Sequence, residues 1–350
     1  MDILILGIAL VVILIGAELF TNGIEWFGRK LNLAEGAVGS VLAAIGTALP
    51  ETMIPVIAIV FSSSASSHEV GVGAILGAPF MLSTLAMFVT GLTVVWVARR
   101  RPTGDAMQID AAVLGHDVRY FGIAYALAIA AAFLPLEQVW LKWIVALVLL
   151  SIYAWYVKGH FEADAKEHAD DLDELRFHKL DRSAHRDDPA TPRLRIVTVQ
   201  VLFALGLIVL GAVFFVDAVT DLATQLSVDR VLLALVIAPV ATELPETFNS
   251  VIWVRQGKDT LAMGNITGAM VFQSTIPTVV ALLFASSAWV VNEASYIAFA
   301  SAAIAFIATA VIFLPMVRHG TLHGTRLLLG VLFYGAYLAL VLASVLGVVG

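Results

Sequence analysis

Not one of the 350 residues is cysteine, so disulfides, thiolate metal sites and cysteine nucleophiles are all ruled out. Charge is nearly as scarce. Asp, Glu, Lys and Arg make up 13% of the chain, while 60% is hydrophobic and the mean hydropathy is +0.93. Soluble domains are about 25% charged and about 45–50% apolar, and no soluble fold could hide this much apolar surface. The chain is therefore expected to be a polytopic membrane protein. The opening Met1-Asp2 lacks the basic region of a cleaved signal peptide, so the first apolar run is expected to be a retained helix. His-Glu-x-x-His is absent, and no histidine at membrane depth is expected to pair with Ser or Asp, which argues against a membrane-embedded hydrolase. The net charge of −7 lies mostly in loops and points to no nucleic acid. The expected partners are the lipid bilayer and inorganic cations; the sequence says nothing of oligomeric state, and no covalently bound cofactor is expected.

What is present is a set of apolar segments long enough to span a bilayer, each about 20 residues: 3–27, 34–61, 69–97, 119–135, 138–157, 195–219, 229–254, 259–286, 294–316 and 326–349. Of the 20 Lys and Arg, 18 fall in the loops after odd-numbered spans, leaving only Lys142 and Arg230 on the other side. Basic residues mark cytoplasmic loops, so both termini are expected to face outward. The expected location is the cell (inner) membrane, crossed many times.

Within the second and seventh spans lie two related phrases. Ala241-Thr-Glu-Leu-Pro-Glu-Thr-Phe-Asn-Ser250 echoes Gly46-Thr-Ala-Leu-Pro-Glu-Thr52 at an offset of 195. Gly16-Ala17 and Phe20 match Gly211-Ala212 and Phe215 at the same offset, and Ser83-Thr84 match Ser274-Thr275 at 191. Five spans per half force the second copy to enter from the opposite side. The expected fold is all-α and polytopic: ten transmembrane helices as two inverted five-helix repeats, with helices 2 and 7 broken and sites near the midplane. The halves are residues 1–158 and 195–350, joined by a polar cytoplasmic linker, 159–194, with ten acids and His160, His168, His178 and His185. The linker is read as solvated and partly helical around Ala163–Leu180 rather than as a metal site.

A carboxylate at mid-bilayer costs on the order of 2.5–3.5 kcal/mol, so Glu51, Glu243 and Glu246 need a use. Pro50 and Pro245 have no N–H to give to the carbonyls of Gly46 and Ala241, and Pro239 none for Leu235. Thr47 lies four before Glu51, and Thr242 four before Glu246, so hydroxyl, freed carbonyl and carboxylate share a helix face. Hard cations such as Ca²⁺ take six to eight oxygens of these types. Glu243 and Asn249 extend the second stripe. Two carboxylates so close in a low dielectric cannot both ionise without a cation, which suits exchange against protons as well as sodium. Gln273 is read as a neutral ligand or as an orienter of Glu246. Glu18 and Asp217 do not match across the repeat and are read as structural or gating.

Gly46-Thr-Ala-Leu-Pro-Glu51 and Thr242-Glu-Leu-Pro-Glu246 resemble the α-repeats of the sodium/calcium exchanger (cation/calcium antiporter) superfamily, with Gly73–Gly77 and Gly264–Gly268 similar to its second element. The resemblance implies an alternating-access secondary antiporter, not an enzyme, with Glu51 and Glu246 as central ligands. Thr47, Thr242 and the carbonyls of Ala44 and Pro239 would add oxygens. Transported Ca²⁺ would exchange for Na⁺ or H⁺. The alternatives are H⁺-coupled exchange of Mg²⁺, Mn²⁺ or a monovalent cation, or a channel or sensor on the same fold. Departures from the pattern are Ala48 and Glu243 at the motif serine, and Ala78, Pro79, Ala269 and Met270 where the family carries serine and asparagine. These remove the side-chain oxygens from which flanking sodium sites would be built.

Overall fold

The computed structural model describes residues 2–61, 65–163, 172–178, 192–225, 243–292 and 295–346. The protein is all-α. Helix α1 is Asp2–Leu31, followed by α2 (Ala37–Thr47), α3 (Leu49–Val60) and α4 (Ala65–Met81). Helix α4 continues through a wide π turn, Leu82–Ala86, into α5 (Met87–Val97). Then come α6 (Ala111–Ala130), α7 (Val139–Glu162), α8 (Leu194–Gln225), α9 (Leu244–Arg255), α10 (Asp259–Phe284), α11 (Tyr296–His319) and α12 (Gly330–Val345). Among the described residues, seven helices are long and apolar enough to cross a membrane. The predicted spans outside that set are the second, which is interrupted, the seventh, of which only residues 243–254 are described, and α6, which carries His116, Asp117 and Arg119 near its start.

The second predicted span is broken at Ala48 (φ −78°, ψ 2°), and the described part of the seventh opens at Glu243 with the same backbone turn (φ −81°, ψ 2°). Both kinks end the same way: Thr52 N–H donates to Ala48 O and Thr247 N–H to Glu243 O, each at 3.2 Å. Pro50 and Pro245 sit in the first turn of the new helix, where the missing N–H has no intrahelical partner to lose. The equivalent kinks are 195 residues apart, at the repeat offset.

Loops following odd-numbered spans gather at one end. Arg101 forms an ion pair with Asp259, and Lys258 with Glu25. Ala106–Met107 and Leu322–His323 form a two-residue antiparallel ladder, Ala106 opposite His323. Beside it, a hydrogen bond from Thr325 and then His323 hold the Asp105 carboxyl below the usual carboxylate range. At the opposite end, fully buried Lys142 donates to the carbonyls of Ser286 (2.7 Å) and Trp289 (2.8 Å).

Two helix ends differ from expectation. The N-cap of α6 is Asp110, whose carboxylate accepts from Ala112 N–H at 2.9 Å, so this helix begins well before residue 119. Helix α7 runs on to Glu162 and carries His160 into the protein, 3% exposed, not into a solvated linker. Within the stretch expected to be partly helical, around Ala163–Leu180, the described residues 172–178 form a turn. Leu175 is buried against Trp26 and Val197. Trp26 Nε1 donates to Asp173 O (2.9 Å), while Arg176 N–H reaches Asn22 Oδ1 (3.0 Å) and Phe177 N–H reaches Gln200 Oε1 (2.8 Å). Side chains of α1 and α8 thus take the bonds a helix would have made. His178 pairs with Glu174 at 3.1 Å; His168 and His185 lie outside the described residues.

The core is built around α10, which is buried along most of its length. Its glycines let α2 approach closely. A Cβ on Gly264 would stand 2.7 Å from Ser40 Oγ, and one on Gly268 would collide with the Ser40 backbone carbonyl. Because that collision is with backbone, Gly268→Ala must push α2 and α10 apart. We expect a loss of stability at the upper end of the overpacking range, about 3 kcal/mol, read as a lower Tm in detergent. An unchanged Tm would show that the contact yields.

Candidate functional site

The two kinks aim their carboxylates at one another. Glu51 opens α3 and Glu246 opens α9, each in the first helical turn, where the helix dipole favours negative charge. Glu243 projects from the second kink itself. One oxygen from each of Glu51, Glu243 and Glu246 lies within 4.8 Å of the others, and all three residues are buried. Around them buried polar atoms go without partners: Glu51 Oε2, both oxygens of Glu243 and of Glu246, both polar atoms of Asn249, and Gln273 Oε1. Native interiors pair nearly all such atoms. This concentration of orphan acceptors, seven oxygens with one amide nitrogen, is a donor set for a hard cation.

The remaining side chains hold the acids in place. Gln273 Nε2 donates to Glu51 Oε1 at 2.6 Å, so it orients Glu51 rather than Glu246. Asn265 Nδ2 donates to the backbone carbonyl of Glu246 (3.2 Å), and its Oδ1 lies 3.3 Å from Thr47 Oγ1. Thr47, fully buried, also lies 3.1 Å from Ala43 O. The Ala44 carbonyl already accepts from Ala48 N–H at 3.0 Å, leaving a second lone pair. Ser250 turns to α10, donating to Ala262 O at 3.0 Å. Thr242 and Pro239, named with these from the sequence, lie outside the described residues. Glu18 is exposed, not within the packed bundle, and pairs with Arg176 of the linker turn at 3.3 Å. The side chain of Asp217 lies outside what is described.

A further buried acid, away from the triad's two helices, was not anticipated. Asp117, on α6 and fully buried, meets His160 Nε2 at 2.8 Å, a contact made by a histidine that the sequence assigns to the linker. It lies on the inward stripe Leu114, Asp117, Phe121, Tyr125, Ala128, a helical spacing that could have marked it. The hydrolase reading does not return with it. Ser40 Oγ donates to Asp117 at 2.7 Å, whereas a serine nucleophile must give its proton to the histidine.

Comparison with known proteins follows the same lines. The family described as sodium/calcium exchanger protein matches residues 1–159 and 196–346. The chain belongs to the sodium/calcium exchanger family. This exchanger-family protein is 25% identical over 272 residues to CaxA of Alkalimonas amylolytica, covering 76% of this chain and 75% of that one. It is 26% identical over 282 residues to the inner membrane protein YrbG of Escherichia coli (strain K12), covering 78% and 76%. Its fold superposes on the sodium-calcium exchanger NCX_Mj soaked with 2.5 mM Na⁺ and 1 mM Sr²⁺, with a TM-score of 0.72, 18% identity and 97% of each chain covered. The exchanger-family protein is thus a multi-pass membrane transporter of the cation antiporter class, and not an enzyme.

Proposed function

We propose that the protein exchanges a divalent cation, Ca²⁺ first among them, for protons or sodium by alternating access, with Glu51, Glu243 and Glu246 as the binding centre. The observation that carries this reading is the buried triad with its unpartnered oxygens. Carboxylate oxygens suit the oxygen preference of Ca²⁺, two of them balance its charge and the third leaves a place for a proton, and Asn249, Gln273, Thr47 and the Ala44 carbonyl supply further neutral oxygens around it. Thr242 and the Pro239 carbonyl complete the ligand set by the family resemblance. H⁺-coupled exchange of another divalent cation is the second reading. It is favoured by the extra carboxylate at Glu243, and by Ala78, Pro79, Ala269 and Met270, which offer no side-chain oxygens for sodium. The protein works in the cell membrane with both termini outside and the 159–194 connection in the cytoplasm, as the one-sided basic residues favour.

Flux in proteoliposomes tests it. In sodium-free buffer, an outward proton gradient should drive Ca²⁺ uptake, and collapsing the gradient should stop it. Uptake that proceeds without any opposing gradient would instead mark a channel. Uptake strictly dependent on internal sodium would remove the proton-coupled reading and leave the exchange reading standing.

A further inference from the structure

The Asp117 cluster lies apart from the acid triad, between four helices at the end of the bundle that holds the odd loops. Asp117 Oδ2 accepts from Ser40 Oγ of α2 (2.7 Å) and lies 2.6 Å from Thr267 Oγ1 of α10. Its Oδ1 meets His160 Nε2 (2.8 Å) and Tyr156 OH (3.1 Å), both on α7. Proton counting shows how little of this is committed. The single Tyr156 hydroxyl proton has two acceptors, Asp117 Oδ1 and Ser40 O at 2.9 Å. The single Thr267 proton likewise has Asp117 Oδ2 and Met263 O at 2.9 Å. Only the Ser40 hydroxyl is spoken for. A carboxylate in an apolar bundle with one committed donor and an imidazole against it is a costly charge that one further proton cancels.

We propose that Asp117 and His160 form a proton-binding site, separate from the transport site, that senses pH on the odd-loop side and sets how firmly α2 is held against α10. With one ring proton, His160 is a neutral donor and the cluster carries the charge of Asp117. A second ring proton turns the contact into an ion pair. A proton taken by the carboxylate instead would turn an acceptor into a donor and force one of its partners away. On the outer side of the pair, the half-buried His116 ring stands edge-on to His160, centroids 4.8 Å apart. The groups facing the pair are His116, with the charge of Arg119 beyond it, on α6, and Tyr153 and Tyr156 on α7; α10 presents the hydroxyl of Thr267 and α2 that of Ser40, with Glu35 beside the Gly36 that packs on the His160 ring. The effect reaches the triad through two helices. Ser40 lies seven residues before Thr47, and Thr267 two after Asn265 and six before Gln273, so the clamp sets the register of the helices that orient Glu51 and Glu246.

The proposal leans on the transport reading only for its second readout. The first is the Tm of the detergent-solubilised full chain, read across a pH series. Wild type should show a step that His160→Gln, which keeps a donor to Asp117 but takes no second proton, erases. The second readout is radiolabelled Ca²⁺ uptake against pH on the odd-loop side, which the variant should flatten while transport itself persists. A His160→Gln protein with the wild-type step in both overturns the proposal. Should that variant fail to fold, Tyr156→Phe keeps both titrating groups and removes one donor. It should move the midpoint of the step, and an unmoved midpoint overturns the proposal. Absence of Ca²⁺ flux in wild type and variant alike would count against the transport reading, and the Tm step would still decide the proton site.

Discussion

Glu51→Gln combined with Glu246→Gln should abolish divalent uptake while making the protein harder to melt. The triad is buried with its oxygens unpartnered, so without a cation it must either take up protons or hold like charges against one another in a low dielectric. Neutralising two of them removes that repulsion, and the Tm without divalent ion should rise. The same change removes two anionic ligands. Charge count tunes oxygen-ligand Ca²⁺ sites over several orders of magnitude, and a loss of about a hundredfold in affinity per carboxylate lies within that range. The two effects have opposite signs, and this separates a binding role from a structural one. If the carboxylates were structural, the double variant would lose stability and keep the Ca²⁺-dependent rise in Tm. That rise should instead vanish.

Glu243→Ala should leave Ca²⁺ binding measurable but weaken its coupling to protons. The kink at Glu243 and the one at Ala48 share the same backbone angles, so alanine is accommodated at this position of the fold. What disappears is the third carboxylate, where a proton competes with the cation. By linkage, the slope of log affinity against pH should fall by about one where a proton is exchanged for the ion. The sign is definite: wild-type affinity rises with pH as protons leave, and the variant rises less. Calorimetric titration of Ca²⁺ at several pH values reads it directly. An unchanged slope would place the coupling proton elsewhere.

How far the sequence reaches depends on whether a signal is local. Hydropathy and basic-residue bias mark the spans because a bilayer imposes them residue by residue. The kinks are legible because proline acts on its own neighbours, and the duplicated phrase links Glu51 to Glu246 across 195 positions. Partner choice across helices is another matter. Gln273 and Glu246 are near in the sequence, yet Gln273 reaches Glu51, because which face of α10 meets α3 depends on packing. His160 reads as part of a polar linker by composition, and only the extra turn of α7 buries it against Asp117. The linker turn at 172–178 is held by Asn22, Trp26 and Gln200, residues that nothing local marks as its partners.

The third carboxylate also has an electrical consequence. Two carboxylates and one divalent cation sum to zero; three leave one negative charge, unless a proton accompanies the ion. Moving one charge through the membrane field is worth about 2.3 kcal/mol per 100 mV. If Glu243 carries a proton whenever Ca²⁺ is bound, and the triad holds three protons on the return, both legs are neutral and two protons move for each Ca²⁺. Such a carrier is indifferent to membrane voltage. If Glu243 stays ionised, the loaded leg carries negative charge and the same voltage pulls it one way. A single side chain at a helix kink would then decide whether the cell's membrane potential does any work on its calcium.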